Sequence, residues 1–367
     1  MKKIASIAGC LLLITFIIGL IIANSGTIRN FIFYQSGLTP KEVFSLNDEI
    51  NSIPPEDTSG KSVDLLTQID DFAGKSVSGS SFSSNIYSLV KIRLDQALKE
   101  IPSTQIPKGK IKIWYIYNMG VIAKTADKTV AFDLASTDVY TNMADFTKYI
   151  DVLVITHFHS DHFDMSVVKA ALKNGVTVVI PGDKMTLIGD QFVRDPSGED
   201  AVSLIKKRDG IDSNNFISLK PEEETTIKGI QITAYPAKHY FNEGQTVGDP
   251  NIANTPSDWY LVNLSGFTLL HTGDAVSFDY QPDFTNKHID VFIIHDFDPM
   301  TNDSLIKLVP NAKVILPLHA WELQHGPGNI NNMNYKNILD DFSNGYYKTL
   351  LGKTRFIPMV WGESILF

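Results

Sequence analysis

Residues 156–164 read Thr-His-Phe-His-Ser-Asp-His-Phe-Asp, and within them His157, His159, Asp161 and His162 fall inside six positions. Neutral imidazole is the commonest protein ligand for zinc-like ions, and a carboxylate joins it readily. His157 and His159, two apart, can share one ion in an extended turn. Asp161 and His162 can then face a second ion beside it. Two adjacent divalent ions make hydroxide available near neutral pH and stabilise an oxyanion as it develops, which is hydrolytic chemistry. The plain alternative, a chance run of polar loop residues, does not explain the apolar run that leads into the motif.

That run is residues 152–155, Val-Leu-Val-Ile, which has the character of a buried strand. The histidines therefore sit where a strand ends, a rigid place from which side chains can converge on one point. The pattern recurs along the chain. Residues 227–234 alternate as a strand, with His239 and Tyr240 soon after. Residues 259–264 and 267–271 read as a hairpin around Ser265-Gly266, and the second arm ends in His271 and then Thr272-Gly273-Asp274. Residues 291–294 run into His295, and residues 314–316 into Pro317-Leu318-His319. One convergent site accounts for all these strand ends together. His271 either orients a ligand or is satisfied locally. His295 and Tyr240 stand where they could touch the ligands or a substrate. Asp133 and Asp296 read as acceptors for imidazole N–H groups or as turn residues.

The chain has 367 residues, enough for one large domain with additions. Its net charge of -9 argues against a nucleic-acid partner. The single cysteine, Cys10, excludes an internal disulfide. Residues 4–23 carry no charge and would span about 30 Å as a helix, enough to cross a bilayer core. Lys2 and Lys3 precede them, which places the N-terminus in the cytoplasm and the remainder outside. The expectation is a single-pass anchor; a cleaved signal segment ending near Ala23-Asn24-Ser25 is the alternative, and both export the rest. The expected organisation is an anchor over 1–26, an appendage over 27–110 and a catalytic domain over 111–367. Within the appendage one helix is predicted, with apolar residues from Ile86 to Ile101 at helical spacing, Ser84 or Asn85 as cap and Pro102 as stop.

With these residues in order, the sequence resembles the metallo-β-lactamase-fold hydrolase superfamily from about residue 110 onward. The carrying pieces are His157-x-His159-x-Asp161-His162, then His239, Asp274 within Thr-Gly-Asp, and His319. The resemblance implies an αββα sandwich, here preceded by the transmembrane helix. It also implies that His157, His159 and His239 hold one metal, that Asp161, His162 and His319 hold a second, and that Asp274 bridges them. Asp161 would also orient the attacking water. The two divalent ions would be zinc, with manganese or iron as alternatives. Antibiotic-degrading members generally lack the bridging aspartate, so β-lactam cleavage is not expected. Residues 114–120, Trp-Tyr-Ile-Tyr-Asn-Met-Gly, with Pro317-Leu318-His319, look closest to the L-ascorbate 6-phosphate lactonase and N-acyl phosphatidylethanolamine phospholipase D-like group.

The expected activity is hydrolysis of a phosphodiester or ester outside the cytoplasm, on a small-molecule, lipid or envelope-polymer substrate. A lactone is the second choice of substrate. A metal-binding sensor without turnover is the alternative of another class, and no nucleic-acid partner is expected.

Overall fold

The computed structural model describes residues 39–57, 60–78, 81–136, 139–220, 222–238, 255–275, 282–295, 299–323, 334–343 and 354–367. Three helices come first: α1 (Pro40–Ser52), α2 (Lys61–Lys75) and α3 (Ser84–Ser103), with the short hairpin β1 (Val77–Ser78) and β2 (Ser81–Phe82) between the last two. Strands β3 (Lys112–Tyr115), β4 (Val121–Lys124), β5 (Thr129–Phe132) and β6 (Val152–Val154) follow, then α4 (Met165–Lys173) and β7 (Thr177–Pro181). A hairpin, β8 (Lys184–Ile188) and β9 (Gln191–Arg194), leads through β10 (Glu199–Asp200) and α5 (Ala201–Asp209) to β11 (Phe216–Leu219). The second half holds β12 (Glu224–Ile227), β13 (Ile230–Ala237), β14 (Ser257–Leu264), β15 (Phe267–His271), β16 (Ile289–His295), α6 (Pro299–Leu308), β17 (Ala312–Leu318), α7 (Tyr335–Ser343), β18 (Arg355–Phe356) and β19 (Ser364–Leu366).

Two seven-stranded sheets form the frame. One runs β11-β7-β6-β5-β4-β3-β19 and the other β12-β13-β14-β15-β16-β17-β18. In the first, β6 pairs in parallel with both β5 and β7, and every residue of β6 and β7 is buried. A parallel strand covered on both faces needs the continuous β-branched and leucine runs seen here. In the second, β15, β16, β17 and β18 are parallel. Their downstream ends therefore all point the same way, and β15, β16 and β17 carry His271, His295 and, one residue on, His319 to one edge.

Among the described residues no helix is long and apolar enough to cross a membrane. The expectation of a transmembrane helix ahead of the sandwich is corrected accordingly, and residues 4–23 lie outside the described residues. The longest described helix, α3, is amphipathic and buries Ile86, Leu89, Val90, Leu94, Ala97 and Ile101 along one side. It runs two residues further than expected, with Pro102 inside its last turn. Where one helix was expected in the appendage, its described residues hold three. The first, α1, starts from a reciprocal cap in which Thr39 Oγ1 accepts from Glu42 N and Glu42 Oε2 accepts from Thr39 N at 2.6 Å.

A buried carboxylate sits where α3 meets the C-terminal strand. Glu363 is 5% exposed, and its Oε2 accepts from Val360 N at 2.7 Å. Burial pushes this carboxyl up to about 7, against the opposing pull of the Val360 N–H and the Arg93 charge. The folded protein therefore keeps a proton that the unfolded chain loses above its ordinary value of 4.5. Stability is then highest below that value and declines as pH rises to about 7, by roughly 3 kcal/mol. Urea unfolding at pH 5 and pH 8 should show this loss in the native protein. E363Q keeps an acceptor for Val360 and should remove that part of the pH dependence.

Candidate metal centre

The site is built outward from Asp133, just past β5, and Thr156, just past β6. Asp133 is 1% exposed and has φ 46°. Its Oδ1 accepts from Thr156 N at 2.8 Å and its Oδ2 from Thr156 Oγ1 at 2.7 Å. The same Oδ2 lies 2.9 Å from His162 Nδ1. A carboxylate in that position makes Nδ1 the protonated nitrogen of His162 and turns the lone pair of Nε2 inward. Thr156 Oγ1 spends its hydrogen on Asp133 and so accepts from His157 Nδ1, 3.1 Å away. His157 thus also presents Nε2, which faces His159 Nδ1 at 3.0 Å.

The second sheet supplies the other half. Asp274 Oδ2 stands 3.2 Å from His162 Nε2, 3.8 Å from His319 Nε2 and 4.0 Å from His157 Nε2. Asp161 Oδ2 lies 3.1 Å from His162 Nε2 and 3.5 Å from His319 Nε2. One donor atom each from Asp161, His162, Asp274 and His319 lies within 4.8 Å of all the others, and all four residues are buried. His162 Nε2 is buried and makes no hydrogen bond despite two carboxylate oxygens beside it. Imidazole nitrogens and carboxylate oxygens converging this closely fit a shared cation.

The electrostatics say the same. Burial would push the Asp161 carboxyl up, but the His162 charge and the close approach of the His162 and His319 nitrogens hold it well below the usual range. Asp274 is likewise held well down against its burial, by the charges of His162, His319 and His295. Burial would depress His162, yet Asp274, Asp161 and Asp133 raise it well above its ordinary value. His319 is raised to about 9, chiefly by Asp274 working against burial. The pocket therefore calls for positive charge at its centre. A divalent ion held by the same nitrogens and oxygens would supply it.

Of the expected site residues, the structure brings together His157, His159, Asp161, His162, Asp274 and His319. His239, expected with His157 and His159, lies outside the described residues, as do Tyr240 and Asp296. His271 is fully buried but turned away from this centre. Its Nε2 lies 2.9 Å from Met119 O and its Nδ1 accepts from Gly273 N at 3.0 Å, so it braces the turn that carries Asp274. Phe132 stacks on it at 4.7 Å. Gly273 has φ 54°, and a Cβ there would collide with the Thr156 side chain. Only glycine lets the two sheets approach this closely. His295 stacks on His319 with ring centres 4.2 Å apart, so it bears on the centre through that ring and through its charge on Asp274.

Asn118 is an addition that was not among the expected site residues. It is fully buried with φ 50°, donates from Nδ2 to Asp161 Oδ2 at 3.3 Å, and accepts His319 N on its own carbonyl at 3.2 Å. One turn residue thus holds two of the four converging groups. The Asn-Met-Gly turn was the available signal in the sequence.

A family model described as a beta-lactamase superfamily domain matches residues 112–319, more than half of the chain and the whole stretch from His157 to His319. The chain belongs to the beta-lactamase superfamily. Superfamily proteins named Probable L-ascorbate-6-phosphate lactonase UlaG are similar to it. The one from Escherichia coli is 26% identical over 189 residues, covering 47% of this chain and 49% of that protein. The chain thus matches about half the length of these relatives. Among solved structures, isothiocyanate hydrolase from Delia radicum gut bacteria aligns with a TM-score of 0.50 at 15% identity, over 70% of this chain and 99% of that one. That likeness shows a shared fold. The metallo-beta-lactamase fold protein YhfI from Bacillus subtilis aligns at a TM-score of 0.47 and 14% identity, over 71% of this chain and 100% of that one. Superfamily membership and the converging imidazole and carboxylate donors together imply divalent metals.

Proposed function

We propose that this protein is a metal-dependent hydrolase holding two divalent ions, and that it cleaves a phosphodiester or ester. The observation that carries the reading is the convergence of Asp161, His162, Asp274 and His319 around an inward-facing His162 Nε2 that makes no hydrogen bond. His157, His159 and His239 would hold the first ion, and Asp161, His162 and His319 the second, with Asp274 between them. When bound, such ions bring the pKa of water towards neutrality and draw charge from the oxygen of the scissile group.

The chain's own residues do the positioning. Asp133 fixes His162 with its proton on Nδ1, so that Nε2 stays available. Thr156 does the same for His157. Asn118 Nδ2 holds one oxygen of Asp161, leaving the other to orient the attacking water and accept its proton. His271 is held neutral by burial and keeps the Asp274 turn in place. A lactone is the second reading, favoured by the similarity to the UlaG lactonases.

The test is metal content by mass spectrometry together with hydrolysis of bis-p-nitrophenyl phosphate and of a simple lactone, on the native protein and H159A. Two ions per chain, with turnover lost in the variant, is the expected result, and the faster substrate decides between the two bond classes. Two ions without turnover of either probe would favour the sensor. A freshly purified, folded protein without metal would overturn the proposal.

A further inference from the structure

The segment that carries His319 is unusually shaped. His319 has φ 77° and Trp321 has φ 53°, so two non-glycine residues with a single residue between them hold left-handed backbone. Such conformations persist only where the surroundings over-determine them. Besides the Asn118 carbonyl on His319 N, two fixtures hold this one. Tyr117, in the β3–β4 connection, accepts Leu323 N on its hydroxyl at 2.9 Å. The other fixture comes from the helical layer: Asp70, on α2, accepts from Trp321 Nε1 at 2.7 Å. Asp70 also caps α7, accepting from Tyr335 N on the same Oδ1 at 2.9 Å and from Lys336 N on Oδ2 at 2.7 Å. Trp321 is 9% exposed, and its ring meets the edge of Phe82 at 6.1 Å.

The geometry points to Asp70 as a positioning residue for the metal centre, acting through the Trp321 indole to set the backbone that aims His319 at Asp161 and Asp274. This gives the helical layer a task at the site, and it rests on the metal reading above. The carboxylate is specifically required. Three N–H donors from two separate segments converge on its two oxygens. An asparagine there offers one oxygen and turns an N–H against one of those donors. Trp321 is also more than a packing residue in this arrangement, because its N–H is the link.

The experiment compares the full native chain with D70N, W321F, the double variant D70N/W321F and the control D71N. Asp71 is exposed on the same helix and makes none of these bonds. Zinc affinity is measured by competition with a chromophoric chelator well below the unfolding temperature of every variant. Thermal unfolding and kcat are followed alongside. D70N and W321F should each weaken zinc binding at least tenfold while remaining folded, with the loss in kcat following the loss of metal. The double variant should be no worse than the worse single, because both substitutions cut one link. D71N should bind like the native chain. If D70N lowers only the unfolding temperature and binds zinc normally, Asp70 is a structural cap for α7 and the inference is overturned. Strictly additive losses would overturn the route through Trp321. A native chain that binds no zinc would overturn this inference and the proposed function together, whereas tight native binding with unchanged variants would overturn this inference alone.

Discussion

Replacing Asp274 with asparagine is expected to lower kcat by about three orders of magnitude, some 4 kcal/mol of transition-state stabilisation, and to leave the protein with at most one metal per chain. The substitution keeps the shape of the side chain and removes its charge. Among the described residues, Asp274 is the carboxylate with an oxygen within 4.0 Å of nitrogens from His157, His162 and His319 together. It therefore stands between the groups assigned to the two ions. Its carboxyl is already held anionic against full burial by the imidazoles around it, so an uncharged replacement removes what those imidazoles face. Metal content by mass spectrometry and initial rates on whichever probe the native protein cleaves would measure the effect. Unchanged metal content in D274N would show that the carboxylate is not a ligand.

Asp133 is expected to give the next largest effect, and two substitutions separate its two roles. D133A leaves three donors without their acceptor: Thr156 N, Thr156 Oγ1 and His162 Nδ1. In a site this buried, stability should fall by about 3 kcal/mol, read as a shift in the urea midpoint. D133N behaves differently. Asparagine tolerates the φ of 46° and can still accept Thr156 N on its oxygen. Its amide group then faces His162 Nδ1, which turns the ring to the tautomer with a proton on Nε2, and that nitrogen no longer binds metal. D133N should therefore stay close to native stability yet lose metal affinity by about 10- to 100-fold. Equal metal affinity in D133N and native protein would remove Asp133 from any role in fixing the imidazole.

The site was more legible in the sequence than its surroundings, for a physical reason. Metal-type ligands must be histidine or carboxylate, and several of them are carried past strand ends, so residue type and local apolar runs together located His157 to His162, Asp274 and His319. The groups that orient them carry no such signature. Asn118 looks like any turn asparagine, and its contact with Asp161 joins positions 43 apart in the chain. His271 had two readings at the level of sequence, and only the Met119 carbonyl and Gly273 N–H decide between them. The helical layer was read least well. The buried face of α1 is narrow and includes Asn47, and α2 interleaves its apolar residues with Asp64, Asp70 and Asp71. Both nonetheless keep helical spacing, burying Val43, Leu46, Asn47 and Ile50 in α1 and Leu65, Leu66, Ile69, Phe72 and Ala73 in α2, and α1 also carries the Thr39–Glu42 cap, so this part of the layer was legible in the sequence. The tie from Asp70 to Trp321 joins residues 251 positions apart, and no local periodicity reports it.

The sheets divide the donors between them: His157, His159, Asp161 and His162 follow β6 of one, while Asp274 and His319 follow β15 and β17 of the other. An ion at this seam binds only where the two sheets are docked, so it acts as a removable rivet between halves of the core. Every tenfold excess of free ion over its dissociation constant then adds about 1.4 kcal/mol against separation of the halves. The resistance of this protein to unfolding is thereby tied to the metal supply around it, and starvation for metal would loosen its architecture along with its chemistry.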